Sequence, residues 1–269
     1  MTSSWLYRQD TLGIVVVLMV CMTIAAEVGF ALGRRWHPRT DDARRGHLGS
    51  ILGPLLGLLA LLLSFTFAMS ANRYDLRRQL VLTDANSLEG LYLLSSLLPE
   101  ESRKPFKQSL LKYVDLRSQI ALFRRNLSTE EISELSAQVE ALHSQMWKTA
   151  KDSAIANPPT KFTEPIFKGL IEALSAHRAR MFGWESRVPD SIICLLLLGC
   201  VAGMGAIGLS GGLGNHRGLP ARIIVTILLC ATIYVVLDLD RPHEGSIHIS
   251  QSPMLHLQSI LERDPETKL

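Results

Sequence analysis

Four stretches almost free of charge decide what this chain can fold into. Residues 11–33 carry one charged side chain, Glu27, and residues 48–71, 191–212 and 223–237 carry none. About 20 consecutive apolar residues cross a hydrocarbon core of about 30 Å as a helix. The first three stretches reach that length, and the fourth does so once Ala221, Arg222 and Leu239 sit at the interfaces. The pattern predicts an all-α, polytopic membrane protein with helices at about 11–33, 48–71, 191–212 and 221–239. The 47% hydrophobic fraction would suit a soluble protein, so the distribution carries the reading and the average does not. The first stretch follows Arg8 and ends in small residues, as a signal peptide does. It is too long for one and exits into Arg34 and Arg35, so it reads as a retained span.

Between spans two and three lies a block, 72–190, whose 119 residues are enough for a small core of their own. The expected organisation is therefore residues 1–71 for the N-terminal tail and first two spans, 72–190 for an inserted helical-bundle soluble domain, 191–239 for the last two spans and 240–269 for a C-terminal tail. Apolar residues continue at helical spacing past span two, through Leu76, Leu80, Leu88, Leu91 and Leu94, with no proline. One long helix is predicted to leave the membrane unbroken. Pro99 to Ser102 marks a turn, after which Phe106, Leu110, Tyr113, Val114, Leu116 and Ile120 give a second amphipathic helix. Ser128 with Glu131 is a capping box opening a third, with Ile132, Leu135, Val139, Leu142 and Met146 on one face. Asn157, Pro158 and Pro159 break the chain, and a fourth helix starts near Thr163 with Pro165 in its first turn. In the tail, GSIHIS alternates like a short strand, and Ser252-Pro253 can open a last helix.

Catalysis has no positive sign. The four cysteines lie in apolar stretches, the histidines lack the spacing of a metal site, and no phosphate loop, dinucleotide fingerprint or nucleophile elbow occurs. No enzyme activity, metal or cofactor is expected. With 17 Lys and Arg against 15 Asp and Glu in the 72–190 block, no basic surface for nucleic acid stands out either. Span two instead carries small residues at four-residue spacing, Gly49, Gly53, Gly57 and then Ala60, Ser64, Ala68, a face for close packing. Near its end Ser64, Thr66 and Ser70 offer hydroxyls to an ion, beside Phe65 and Phe67 as an apolar constriction. Those two rings are about 200° apart on a helix, so only one can face a common axis. Arg73, Arg77 and Arg78 follow, and Asp238, Asp240 and Arg241 close span four; together they suggest an interfacial ion network, either anion-attracting or a structural clamp. Glu27, the intramembrane carboxylate, either serves function or reaches the interface to pair with Arg34 or Arg35.

The runs LLGLLALLLSFTFAMSANRYDLRRQLVLTDANSL, LLPEESRKPFKQSLLKYVDLR and LDLDRPHEGSIHISQSPML resemble the bestrophin-like-domain family of largely uncharacterised bacterial membrane proteins, over about residues 48–257. Bestrophins proper are pentameric anion channels whose second span forms a hydrophobic neck and continues into a cytoplasmic helix. The resemblance implies that Phe65, Phe67 and Leu63 line such a neck, with Asn72, Arg73 and Tyr74 just beyond it. The acidic run of the bestrophin calcium clasp is missing, so calcium gating is not implied.

The resulting expectation is a homo-oligomeric, anion-conducting protein of the bacterial plasma membrane, in contact with membrane lipid. The alternative is a non-conducting membrane protein whose helical domain senses or docks a partner. Five arginines in loop 34–47, and Arg217 and Arg222 around loop 213–220, favour a cytoplasmic location for the short loops, opposite to the bestrophin analogy.

Overall fold

The structure is a computed structural model describing residues 10–37, 42–123, 127–156, 163–185, 187–241 and 247–267. Among them are eight helices: α1 (Thr11–Trp36), α2 (Asp42–Ser95), α3 (Glu100–Phe123), α4 (Thr129–Ala156), α5 (Thr163–Glu185), α6 (Asp190–Leu213), α7 (Leu219–Asp240) and α8 (Ser252–Arg263). Four of them, α1, α2, α6 and α7, are long and apolar enough to cross a membrane. The chain divides into two compact units, Met1–Tyr74 with Arg187–Ile247, and Asp75–Ser186 with His248–Leu269.

The first unit is built on glycine. A Cβ at Gly29 would lie 2.2 Å from the Gly205 carbonyl oxygen, and one at Gly33 would lie 2.3 Å from that of Leu209. From the other side, Cβ atoms at Gly208 and Gly212 would meet the carbonyl oxygens of Ala26 and Phe30 at 2.1 and 2.3 Å. Backbone therefore touches backbone where α1 crosses α6, a contact only glycine permits. Packing this close holds helices together even where lipid, itself apolar, would offer no hydrophobic drive. Gly29 and Gly33 form a Gly-x-x-x-Gly pair that sequence reasoning passed over. Leu18, Met22, Leu196, Cys200, Met204 and Ile233 complete this core.

The second unit is a helical bundle around an apolar core of its own. Leu88 and Leu91 of α2 pack with Phe106, Leu110 and Tyr113 of α3, Val139 and Met146 of α4, and Ile166 and Leu170 of α5. The capping box forms as predicted: Glu131 N–H donates to Ser128 Oγ at 3.2 Å, and Ser128 N–H donates to the Glu131 carboxylate at 2.7 Å. Leu76, assigned to the apolar stripe, is instead exposed.

Two expectations for the tail change. Residues 248–267 do not form a separate tail, because Met254, Leu257 and Leu261 of α8 are buried in the bundle core. The segment expected as a strand is not one. Gly245 and Ser246 lie outside the described residues, and from Ile247 to Ser250 no strand is present. The Ile247 N–H donates to the Asp238 carboxylate at 2.9 Å instead of to a neighbouring strand. An alternating pattern without a second strand has nothing to pair with. The chain break expected at Asn157, Pro158 and Pro159 also lies outside the described residues.

Candidate functional site

α2 is one continuous helix of 54 residues, more than twice the ~20 needed to cross a bilayer. Pro54 lies inside it, a position tolerated in membrane helices where the freed carbonyl finds other partners. Its apolar window is 11% buried within the subunit, against 28% to 33% for the windows of α1, α6 and α7. The contacts it does make are narrow. Leu59 packs on Gly199 and Gly203 of α6, and Thr66 and Ser70 are buried on the same side.

At roughly 100° per residue, the face opposite that stripe carries Gly53, Gly57, Ala60, Ser64 and Ala68, all exposed. Cβ atoms added at Gly53 or Gly57 would meet nothing within 4 Å, so this small-residue row does not serve packing inside the subunit. The expected pore-lining residues thus separate. Ser64 is exposed, Phe67 (41% exposed) borders the small-residue row, and Phe65 (62% exposed) lies farther round the helix. Leu63 is half-buried against the subunit core. Thr66 and Ser70 turn the other way. Their hydroxyls point into their own subunit, and Thr66 Oγ1 donates to the Leu62 carbonyl at 2.7 Å, because helical rotation places both beside Leu59.

At the end of this segment Arg73 Nη1 lies 4.0 Å from Asp240 Oδ1. The same carboxylate accepts the Val188 N–H at 3.0 and 3.2 Å, tying the approach to α6 onto the end of α7. Asp238 receives Ile247 N–H as described above, and Asp238, Asp240 and Arg241 are all buried. Of the expected network, the structure brings together Arg73 and Asp240, while Asn72 is exposed. Arg77 and Arg78 belong to the second unit. There Arg77 is fully buried and its Nε donates to the Gly183 carbonyl at 3.3 Å, whereas Arg78 is exposed.

Glu27 pairs, but not with Arg34 or Arg35. Its Oε1 accepts from Arg222 Nη2 at 2.8 Å, and its Oε2 lies 3.6 Å from Arg217 Nη2. The packing of α1 beside α7 brings distant arginines closer than those two turns along the same helix.

Sequence reasoning missed the strongest charged cluster, inside the second unit. Arg117 donates to both oxygens of Asp84, through Nη1 at 3.0 Å and through Nη2, and Arg180 Nη1 donates to Asp84 Oδ2 at 2.9 Å. Arg180 Nη2 also donates to Gln251 at 2.7 Å. Burial would raise the Asp84 carboxyl, but the charges and hydrogen bonds of Arg117 and Arg180 outweigh it and hold the group below its ordinary range. Burial, helped by the Arg117 charge, pushes the neighbouring His177 down to about 4. A signal was present in the sequence, since Asp84 stands four residues from both Leu80 and Leu88 on an apolar helix face.

A profile of the bestrophin-like domain matches residues 20–254. The chain belongs to the bestrophin-like domain family. Its fold is shared with solved bestrophin homologues. A variant of a bacterial bestrophin homologue from Klebsiella pneumoniae aligns with a TM-score of 0.65 at 14% identity, covering 95% of this chain and 98% of that one. A second variant gives 0.64 at 14% identity, over 92% and 97%. A further crystal structure, described as a membrane protein, gives 0.65 at 13% identity over 95% and 99%. At this identity the likeness is one of fold. No curated protein sequence matches the chain. Among its described residues this bestrophin-like protein has helices and no strand, and four of the helices are long and apolar enough to cross a membrane.

Proposed function

We propose that the protein is a homo-oligomeric anion channel of the bacterial plasma membrane, crossing it four times, with the exposed small-residue face of α2 lining the pore. One observation carries this reading: Gly53, Gly57, Ala60, Ser64 and Ala68 lie on the side of α2 turned away from its own subunit. A face of glycine, alanine and serine is a poor lipid surface but suits a narrow, partly polar passage. Phe67 borders that face and would form the constriction, with Leu63 beside it; Phe65 lies nearer the flank. Arg73, held beside Asp240, and Asn72 would stand at the pore's end, where cationic and amide groups favour anions. The helical unit would lie outside the membrane.

The test is chloride and potassium flux from liposomes, with single-channel recording in planar bilayers, on the purified full chain. Discrete anion-selective conductance is expected. Phe67→Ala should alter it more than Phe65→Ala, and Ser64→Leu should block it. Silence across voltage and pH from folded, oligomeric protein would reject conduction and favour a membrane-anchored sensing or docking protein, in which the α2 face packs copies together. Labelling of single cysteines placed in the helical unit of intact cells decides sidedness.

A further inference from the structure

The polar end of the first unit combines features that the channel reading does not use. Between α1 and α7 lies a groove of about 430 Å³, lined by Val20, Ile24, Ile223 and Ile227 along its length and by Glu27 and Arg222 at one end. It extends from Met19 to Glu27 on α1 and from Ile227 to Leu219 on α7, about 12 Å along each helix. That is most of one leaflet of a ~30 Å hydrocarbon core. The isoleucines and Val20 are exposed, so the groove opens outward from the subunit.

The charges at its end do not balance. Glu27 faces two arginines, Arg222 and Arg217, which leaves one positive charge in excess. Arg222 is 8% exposed, and while Nη2 binds Glu27, its Nη1 has no hydrogen-bond partner. A buried guanidinium nitrogen left unpaired is costly. α7 also begins here, at Leu219, without a side-chain cap, so the positive end of its dipole faces the same place. Arg217 is well exposed, its guanidinium 3.6 Å from Glu27 and 5.3 Å from the centre of the Phe30 ring, so it reaches the same end of the groove from the solvent side.

We propose that this groove binds a membrane phospholipid, its phosphate held by Arg222 and Arg217 at the start of α7 and one acyl chain laid between α1 and α7. A phosphate oxygen supplies the acceptor that Arg222 lacks and offsets the excess charge. The apolar walls take the chain, whose length suits the depth of the groove. The site is independent of conduction and requires only that α1 and α7 cross the membrane.

The test is native mass spectrometry of the delipidated full-length protein after incubation with phosphatidylglycerol. The parallel arms use diacylglycerol with the same chains and inorganic phosphate as competitor. One phosphatidylglycerol retained per chain is expected, with diacylglycerol lost and inorganic phosphate competing poorly. Arg222→Gln and Arg217→Gln should each reduce retention about tenfold, the worth of one charge-assisted hydrogen bond. Ile223→Trp keeps every charge but fills the groove, and should reduce retention as well; with Arg217→Gln it carries the test where Arg222→Gln misfolds for lack of a Glu27 partner. Equal retention of diacylglycerol, displacement by inorganic phosphate alone, or retention unchanged in Arg217→Gln and Ile223→Trp would each overturn the proposal. So would inter-subunit cross-links from Ile223→Cys, which would place a neighbouring copy in the groove.

Discussion

Replacing Asp84 by alanine leaves two buried arginines facing each other with no carboxylate between them. Asp84 has no exposed surface, and Arg117 and Arg180 are 5% and 6% exposed, so water cannot take over the lost role. Three hydrogen bonds to a charged group vanish, nominally ~1.5–3 kcal/mol each, but they share one carboxylate and do not add. Breaking a buried pair by removing one partner costs about 3–5 kcal/mol, and we take ~4 kcal/mol for Asp84→Ala. For a unit of this size that is a fall in melting temperature of roughly 8–16 °C. The assay is thermal unfolding of the purified protein in detergent, followed by circular dichroism. Asp84→Asn keeps the shape without the charge and should fall between the variant and the parent. Replacing Asp84, Arg117 and Arg180 together by apolar residues of similar size should recover much of the loss, because the desolvation cost disappears with the charges. A shift below about 2 °C in Asp84→Ala, or additive losses in the triple variant, would refute the view that this cluster acts as one neutralising unit.

His177 stays neutral in the folded protein down to about pH 4, whereas unfolded it protonates near 6.5. The unfolded chain thus binds the extra proton between these values, so stability present above pH 6.5 is lost as pH falls towards 4; melting temperatures at pH 7 and pH 5 should differ less in His177→Gln than in the parent. Gly208→Leu would drive a side chain into the Ala26 carbonyl, and its expected cost of at least ~1–3 kcal/mol should appear as poor expression and a lowered melt, while Gly57→Ala, facing open space, leaves the isolated subunit's packing unchanged. Asp240→Ala removes the acceptor of the buried Val188 N–H, at ~1–3 kcal/mol; faster hydrogen exchange at Val188 and Ile192 is expected, and unchanged exchange would show that Asp240 does not hold this segment.

Much of the helical plan was legible in order and in kind. Uncharged stretches of bilayer length, the Ser128–Glu131 capping box and the proline positions are local signals, and helices obey local rules because their backbone hydrogen bonds close within four residues. The strand expected near Ile247 failed for the complementary reason: strand formation depends on a partner that local alternation cannot supply. Charge pairing was less legible still. Glu27 had Arg34 and Arg35 as sequence neighbours, yet its partners, Arg217 and Arg222, come from the far end of the chain.

The sequence by itself determined that four helices are apolar enough for a membrane and that α2 continues past its apolar span, since length, hydropathy and the lack of proline beyond that span are properties of single segments. Only the tertiary structure decided which side of α2 is left open, which carboxylate meets which arginine, and that the tail is built into the bundle core. A helix presents every direction around its axis, and which direction its own subunit covers is set by the neighbours it packs against.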